Sequence, residues 1–459
     1  MNRPVAIIGG GWAGCAAAVT LAGAGVPVAL FETAPLLGGR ARRVVRAGLP
    51  LDNGQHLLLG AYQCTLSLLE RVHGVANART LLNRSPLAIV PVAPDQNGGL
   101  RMICGKVPGR LGLLLGLLSA RGLTWRERFA NLAWFQSLTR HGFARAKQET
   151  VAQMLSPLPR RVAQGLWEPL CLAALNTPPA QASAQIFANV LEAALAGAAT
   201  ASDFLLPATD LSSAFPEAAA RFVADRGGAV HTATLTRILR AAAGDTQLLA
   251  GDALHAARAV IVAVGPHQLA GAFASEALSA RPEVTAFLEQ MAALTYEPIV
   301  TAWLGYASAI ALPAPLARLD DAPGQWAVDR PDILARAQPH ADRPPLRQLL
   351  AIILSASGPH EKLDHATLVR DIDAQLRRLQ PMRTPCIWSL VIAEKRATYA
   401  CTPRRMQPPG VRLVPGVYLA GDYVDADYPA TLEAAVRTGV AAANAVLADL
   451  RVIANNEGN

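Results

Sequence analysis

Val5-Ala6-Ile7-Ile8-Gly9-Gly10-Gly11-Trp12-Ala13-Gly14 is a short apolar run that feeds straight into G-x-G-x-x-G, and Glu32 follows a second apolar run over 26–31. This is the layout of a βαβ dinucleotide-binding unit, and each part has a physical job. Gly9 allows the tight strand-to-helix turn, Gly11 lets backbone approach a pyrophosphate, and Gly14 lets the helix pack closely on the strands. The phosphates then rest on free N–H groups at the positive end of the helix. A carboxylate at Glu32 suits a ribose diol and repels a 2′-phosphate, which points to FAD or NAD and away from NADP.

Composition bounds the rest. With 459 residues, 52% of them hydrophobic, the chain has enough apolar side chain for a large core. A chain of this length is expected to divide into about two or three domains. A motif that begins at residue 5 leaves no room for a secretory signal, so a cytoplasmic location is expected. Cys15, Cys64, Cys104, Cys171, Cys386 and Cys401 show no paired, metal-like spacing. They read as reduced structural thiols, and no metal centre is expected. A net charge of +8 permits attraction to nucleic acid or to an anionic membrane surface. With no zinc-finger spacing, RNP-like aromatic block or dense Lys/Arg run, nucleic acid is excluded as an expected partner.

Between Arg110 and Arg121 lie ten uncharged, mostly leucine residues. That is too short to span a bilayer, which needs roughly twenty apolar residues. Residues 123–143 read as helix, with Trp125, Phe129, Leu132, Trp134, Phe135 and Leu138 set among arginines. Such a pattern suits either a helix lying in a membrane interface or a buried helical hairpin. Residues 151–200 continue as Ala-rich helix broken by Pro157, Pro159, Pro169 and Pro178-Pro179. Alternation returns from Gly227 and runs ahead of 235–239. The run 259–264, closed by Gly265-Pro266, reads as a buried parallel strand. Strand-like runs over 295–303 and 349–354 and a helix over 364–379 follow. Gly416-Val417-Tyr418-Leu419-Ala420-Gly421-Asp422 is an apolar strand ending in Gly-Asp, and a helix begins near Thr431, which is placed to cap it.

Together these blocks resemble the flavin amine oxidase and carotenoid desaturase superfamily. Leu37-Gly38-Gly39-Arg40 matches its second glycine motif, in which the resemblance implies that Arg40 helps to hold the pyrophosphate. Within that superfamily the chain is most similar to the hydroxysqualene dehydroxylase family. The motifs that carry this are Leu51-Asp52-Asn53-Gly54-Gln55-His56 with Gly60-Ala61-Tyr62, Asp210-Leu211-Ser212, and Gln325-Trp326 with Asp329-Arg330. Glu394-Lys395-Arg396-Ala397-Thr398 and the stretch from Gly421-Asp422 to Pro429-Ala430-Thr431-Leu432-Glu433 complete them. The segment 206–212 departs from the family form, in which a basic residue commonly follows the proline.

The resemblance implies an α/β fold: a discontinuous Rossmann-like FAD-binding domain (1–85, 205–270 and 401–459) beside an α+β substrate domain (86–204 and 271–400). The latter includes a helical subdomain suited to a membrane. It also implies non-covalent FAD, held by Gly9, Gly11, Gly14, Glu32, Gly39, Arg40, Gly54, Gln55, Leu235, Gly421, Asp422, Thr431 and Leu432. Cys401 invites comparison with covalently flavinylated oxidases, but no surrounding motif matches. The implied reaction is hydroxysqualene plus reduced flavin to squalene plus water, in squalene and hopanoid biosynthesis, downstream of enzymes that make hydroxysqualene.

That chemistry needs a proton donor for the leaving hydroxyl, a dry pocket for a developing allylic cation, and a flavin held edge-on to the reacting carbon. His56 is the first candidate at the flavin edge, with Tyr62 and Tyr296 as further donors. Asp52 reads as a brace for its loop, and the pairs Asp329–Arg330 and Glu394–Arg396 as buried ion pairs that set geometry. A C30 isoprenoid substrate implies peripheral contact with an anionic membrane, at the inner face of the cell membrane. A carotenoid-type desaturase, an amine oxidase with a cage built from Tyr399 and Tyr428, and a non-catalytic isoprenoid-binding flavoprotein are the competing readings.

Overall fold

The computed structural model describes residues 3–457 except 94, 96–98, 105–106, 108–109, 196–197, 199, 381–383, 404–407 and 409. Its first sheet is built on the apolar runs read from the sequence. Six strands lie in the order Ala229–His231, Val28–Phe31, Val5–Ile8, Ala259–Val262, Val417–Leu419, Arg412–Val414. All neighbours are parallel except the last pair. Ile7 stands opposite Leu30 on one side and Ile261 on the other. Every residue of the three central strands is buried, as a parallel sheet covered on both faces requires.

One face of this sheet carries the helices Trp12–Gly23 and Leu432–Glu457, whose alanines pack on Val5, Ile7 and Ile261. The two helices approach closely because Gly439 has no side chain. A Cβ there would sit 2.2 Å from the Ala13 carbonyl oxygen. The other face meets a three-stranded antiparallel sheet (Thr236–Ala242, Asp245–Ala250, Ala253–Ala257) and the helix Pro282–Ala292. Phe273, Leu278 and Phe287 thus share a core with Ile8 and Val260, although they fall in a segment expected to belong with the substrate side.

A second sheet of five antiparallel strands has the order Leu316–Arg318, Trp326–Asp329, Gln348–Ser355, Tyr296–Tyr306, Cys386–Tyr399. Its period of two sorts the side chains. Val300, Ala302, Leu304, Leu350 and Ile352 face the helix His365–Leu379, while Trp303, Leu349 and Ala351 turn to the opposite core. Asp364 caps that helix by accepting the Thr367 N–H at 3.0 Å.

A helical layer closes that opposite core: Arg110–Ser119, Trp125–Arg140, Val151–Leu155, a run from Arg160 to Leu175, and Ala184–Leu195. Thr124 and Thr150 each start a helix with a capping box, to Glu127 and Gln153. Pro169 does not break its helix as expected. The preceding Ala163–Trp167 turn is a wide π-type turn, and Pro169 falls in the first turn after it, where a missing N–H costs little. The helix Trp125–Arg140 is two-sided: Trp134, Phe135 and Leu138 are buried, as the hairpin expectation requires, whereas Trp125 is 67% and Phe129 62% exposed. Of the leucine-rich helix before it, Leu117 is buried and Leu115 and Leu118 are exposed. The side chains of Leu111, Leu113 and Leu114 lie outside the described residues. Among the described residues, no helix is long and apolar enough to cross a membrane.

Candidate functional site

A cavity of about 920 Å³ runs from the carboxyl end of the parallel sheet to the face of the five-stranded sheet. One part of its wall is glycine-rich and polar: Gly9, Gly11, Glu32, Gly39, Arg40, Arg42, Gly421 and Asp422. The other is apolar, made of Trp167, Leu170, Phe187, Leu191, Phe204, Leu206, Trp326, Val328, Ile353 and Ile392.

The polar part is shaped by backbone constraints. Gly9 has φ +109°, and a Cβ there would lie 2.6 Å from the Ala263 carbonyl oxygen. Gly14 stands behind the wall, where a Cβ would be 1.9 Å from the Gly9 carbonyl oxygen. At Gly11 a Cβ would meet only the Gly39 Cα, at 3.8 Å, so the room it leaves opens onto the cavity. Glu32 accepts the Gly10 and Ala34 N–H groups, both at 2.7 Å, which fixes a carboxylate on the wall. Gly11 caps the Trp12–Gly23 helix without a side-chain bond, so first-turn N–H groups are left for a ligand. With Arg40, Arg42, Lys395 and Arg396 also lining the wall, these residues fit a dinucleotide with its anionic pyrophosphate.

Arg40 has structural work as well. It donates to the Ala397 carbonyl and to Asp422, both at 2.7 Å, and so ties the strand Cys386–Tyr399 to the Gly421-Asp422 turn. Thr431 caps the last helix, its hydroxyl accepting the Ala434 N–H at 3.2 Å, and with Leu432 it lines the cavity. Leu235 does not belong with this group. It is 50% exposed and away from the cavity wall, at the edge of a strand whose alternation turns it outward.

Residues 53–56 join the two parts. The Asn53 side chain donates to the Arg40 carbonyl (3.2 Å) and to Glu394 (3.0 Å). Gly54 turns the chain at φ +101°. Gln55 receives Arg330 Nη1 on its Oε1 at 2.6 Å, donates from Nε2 to the His56 carbonyl, and gives its N–H to Thr301 Oγ1. His56 reaches the cavity wall, with Nδ1 3.0 Å from the Gly54 carbonyl oxygen. Burial, opposed by that backbone bond and aided by Arg40 and Arg330, pushes its imidazole down to about 4.

The other candidates sit differently. Tyr62 lines the cavity, and burial raises its hydroxyl far above the usual range, so it stays protonated. Tyr296 is off the cavity wall, under Arg396 at 5.9 Å, and burial raises it too. Asp52 braces its loop as expected, accepting the Leu211 N–H at 2.8 Å, and burial pushes it up to about 7. Cys401 is fully buried and does not line the cavity, and neither does any other described cysteine. Tyr399 and Tyr428 are off the wall as well. The Tyr399 hydroxyl is spent on the Asp422 and Tyr428 carbonyls, so these two rings form no cage.

Two expected ion pairs are wired otherwise. Arg330 pairs not with Asp329 but with Asp332, through Nε at 2.9 Å and Nη2 at 2.8 Å, while Asp329 accepts from Gln348. Glu394 accepts from Asn53 and from the Arg396 backbone, and the Arg396 guanidinium lies over Tyr296 instead. Near Pro207, where a basic neighbour was expected, the cation is supplied from afar: Arg336 donates to Thr209 and Asp210. Sequence reasoning missed His267 and Asn176 on the cavity wall. Asn176 has φ +47° and bridges Glu297, Pro298, Thr398 and Ala356, a role that a lone Asn before Thr-Pro-Pro does not announce.

A Rossmann-like sheet whose carboxyl end opens onto a glycine-cradled cavity, with an apolar chamber beside it, defines a dinucleotide-dependent oxidoreductase. The chain belongs to the flavin containing amine oxidoreductase family, whose pattern it matches over residues 12–447. Among curated proteins it is 29% identical over 455 residues to the hydroxysqualene dehydroxylase of Rhodopseudomonas palustris, covering 98% of this chain and 99% of that one. It is 26% identical to the Sinorhizobium fredii protein of the same name, over 98% and 99% of the two chains. Among solved structures it shares its fold with cyclohexylamine oxidase from Brevibacterium oxydans. That match has a TM-score of 0.68 at 16% identity and covers 98% of this chain and all of that one.

Proposed function

We propose that this chain is an FAD-dependent enzyme that removes the allylic hydroxyl of hydroxysqualene, giving squalene and water, in squalene and hopanoid biosynthesis. The observation that carries the reading is the division of one cavity into a cationic, glycine-lined part and a long apolar part, joined at residues 53–56. The first suits FAD, with Glu32 toward the ribose and the Trp12 helix start toward the pyrophosphate. The second offers mostly hydrocarbon and aromatic surface to a polyisoprenoid, with few polar groups such as Asn176, Ser202 and Ser355 on its wall. The full-length similarity to named hydroxysqualene dehydroxylases supports this substrate class.

When bound in its reduced form, FAD supplies the two electrons that replace a carbon–oxygen bond with a carbon–hydrogen bond. The chain's own residues do the rest. Trp167, Phe187, Trp326 and their aliphatic neighbours keep water from a developing allylic cation, and aromatic faces lower its energy. The 53–56 segment holds the polar end of the site in register with the nucleotide part.

In this reading residues 1–85, 205–270 and 401–459 hold FAD, the Phe273–Met291 stretch of the expected substrate segment packs against their sheet, the rest of 86–204 and 271–400 forms the substrate side, and the protein works in the cytoplasm against the inner membrane face. The docking face is the exposed group Trp125, Phe129, Leu115 and Leu118 with Arg101, Arg121 and Arg126. Arg128 lies over Trp125 at 5.0 Å and bonds the Leu118 carbonyl, which ties the two helices together. The opposite side of the same helix reaches the cavity wall, since Trp134 lies 4.8 Å from Trp167. An apolar and aromatic face ringed by arginines suits an anionic bilayer surface.

The test is anaerobic. FAD bound to the purified protein is reduced without excess dithionite, and hydroxysqualene is added. Flavin reoxidation with an equal amount of squalene is expected. A protein that holds reduced FAD unchanged in the presence of this alcohol would remove the proposal in favour of a desaturase or a lipid carrier.

A further inference from the structure

His56 is fixed from one side only. A carbonyl oxygen can only accept, so the contact of Nδ1 with Gly54 at 3.0 Å places a hydrogen on Nδ1. In the neutral ring, Nε2 then carries a lone pair. No described residue bonds Nε2, and the surface that His56 keeps lies on the cavity wall. The ring thus offers the cavity an acceptor, whereas a leaving hydroxyl needs a donor.

The charges around it show what must change. Arg40 and Arg330 both disfavour a proton on the ring. Each is itself partly balanced, Arg40 by Asp422 and Arg330 by Asp332. Glu394, held by Asn53, and Lys395 stand on the facing strand. Burial with this balance keeps the imidazole neutral near pH 7. One added negative charge at the polar end of the cavity would oppose that bias.

We infer that His56 Nε2 is loaded with a proton when a flavin held in this cavity is reduced, and returns that proton to the departing hydroxyl. The inference rests on the FAD reading above. Two electrons enter with two protons, one bound at flavin N5 and one at His56 Nε2. The carbon–oxygen bond then breaks, the N5 hydrogen moves to carbon with its electron pair, and the His56 proton moves to the oxygen, which leaves as water. Flavin ends oxidised and His56 neutral. An anion within about 4–6 Å raises the proton affinity of a neighbouring base by roughly 10- to 1,000-fold. From a value of about 4, only the upper part of that range loads the ring near neutrality, so loading is more complete at pH 6 than at pH 8.

The test counts protons. FAD-loaded protein is reduced electrochemically in weakly buffered solution with a pH indicator, as wild type and as His56→Gln. Wild type is expected to take up nearly two protons per electron pair at pH 6, falling toward one at pH 8, and the variant one at both. Equal counts for the two proteins would put the second proton elsewhere and overturn the inference, as would a single proton in wild type at pH 6. Redox-difference infrared spectra of histidine-labelled wild type need no variant: an imidazolium signal should appear on reduction, and its absence would also overturn the inference. A purified protein with no flavin absorbance would instead take down the cofactor reading on which all this rests.

Discussion

Arg330 donates to Gln55 Oε1 at 2.6 Å across 275 residues of sequence, and this bond couples the five-stranded sheet to the loop that ends in His56. Arg330 is 1% exposed, and Asp332 occupies its remaining edge in a two-bond pair. A planar fork is needed to meet both partners, and a lysine ammonium cannot. Arg330→Lys is therefore expected to free the 53–56 segment while keeping the charge. Turnover should fall at least tenfold, and melting should fall by the equivalent of about 1–3 kcal/mol, the usual range for a broken buried polar contact. Turnover kept at the wild-type level in the folded variant would show that the bond serves stability alone.

Asp52 gives a stability prediction with a definite sign. Its carboxyl is pushed up to about 7 in the fold, against an unfolded value near 3.9. The fold thus binds a proton that the unfolded chain has lost, and stability falls as pH rises between those two values. By pH 8 the penalty is on the order of 4 kcal/mol, at 1.36 kcal/mol for each pH step. Asp52→Asn keeps an acceptor for the Leu211 N–H and has no charge to bury. Thermal melts should show wild type losing stability from pH 5 to 8 and the variant losing much less. Parallel curves for the two would refute the assignment.

The glycine-rich wall of the cavity was legible because its requirements are local. Gly9, Gly11, Gly14 and Glu32 act through backbone geometry and one fixed spacing, and both survive in a linear reading. The wiring around Arg330 was not legible. Asp329 is its neighbour in sequence, but the residue lies in a strand whose alternation turns it to Gln348, and the turn into the next helix brings Asp332 back instead. Long-range partners leave no trace of that kind: Arg336 at Asp210, or Asn176 spanning four segments, depends on the assembled fold. Leu235 failed for the opposite reason. An alternating run shows which residues share a face but not which face meets a ligand.

Gly11 and Gly14 separate binding from folding. A methyl at Gly14 would strike the Gly9 carbonyl oxygen at 1.9 Å, so Gly14→Ala should yield little folded protein. At Gly11 the methyl has room and projects onto the cavity wall. Gly11→Ala is expected to fold with near wild-type circular dichroism yet to lose most of its FAD on gel filtration. Full FAD occupancy in that variant would mean that the pyrophosphate does not pass here.

Trp125 and Phe129 allow the membrane contact to be tested without touching the cavity. Both rings are mostly in solvent, so Trp125→Ser with Phe129→Ser removes little buried surface and should shift stability by no more than about 0.5 kcal/mol per site. The buried side of the same helix, at Trp134 and Phe135, is unchanged and keeps its contacts with Trp167. Wild type is expected to sediment with vesicles containing phosphatidylglycerol at low salt and to be released as salt screens the arginines, over a Debye length of about 8–10 Å at 0.1–0.15 M. The double variant should stay in the supernatant, still reduce hydroxysqualene delivered in detergent, and fail with substrate presented in vesicles. A variant that binds vesicles as well as wild type would place the membrane contact on another face, and one inactive in detergent would show that these rings serve the cavity.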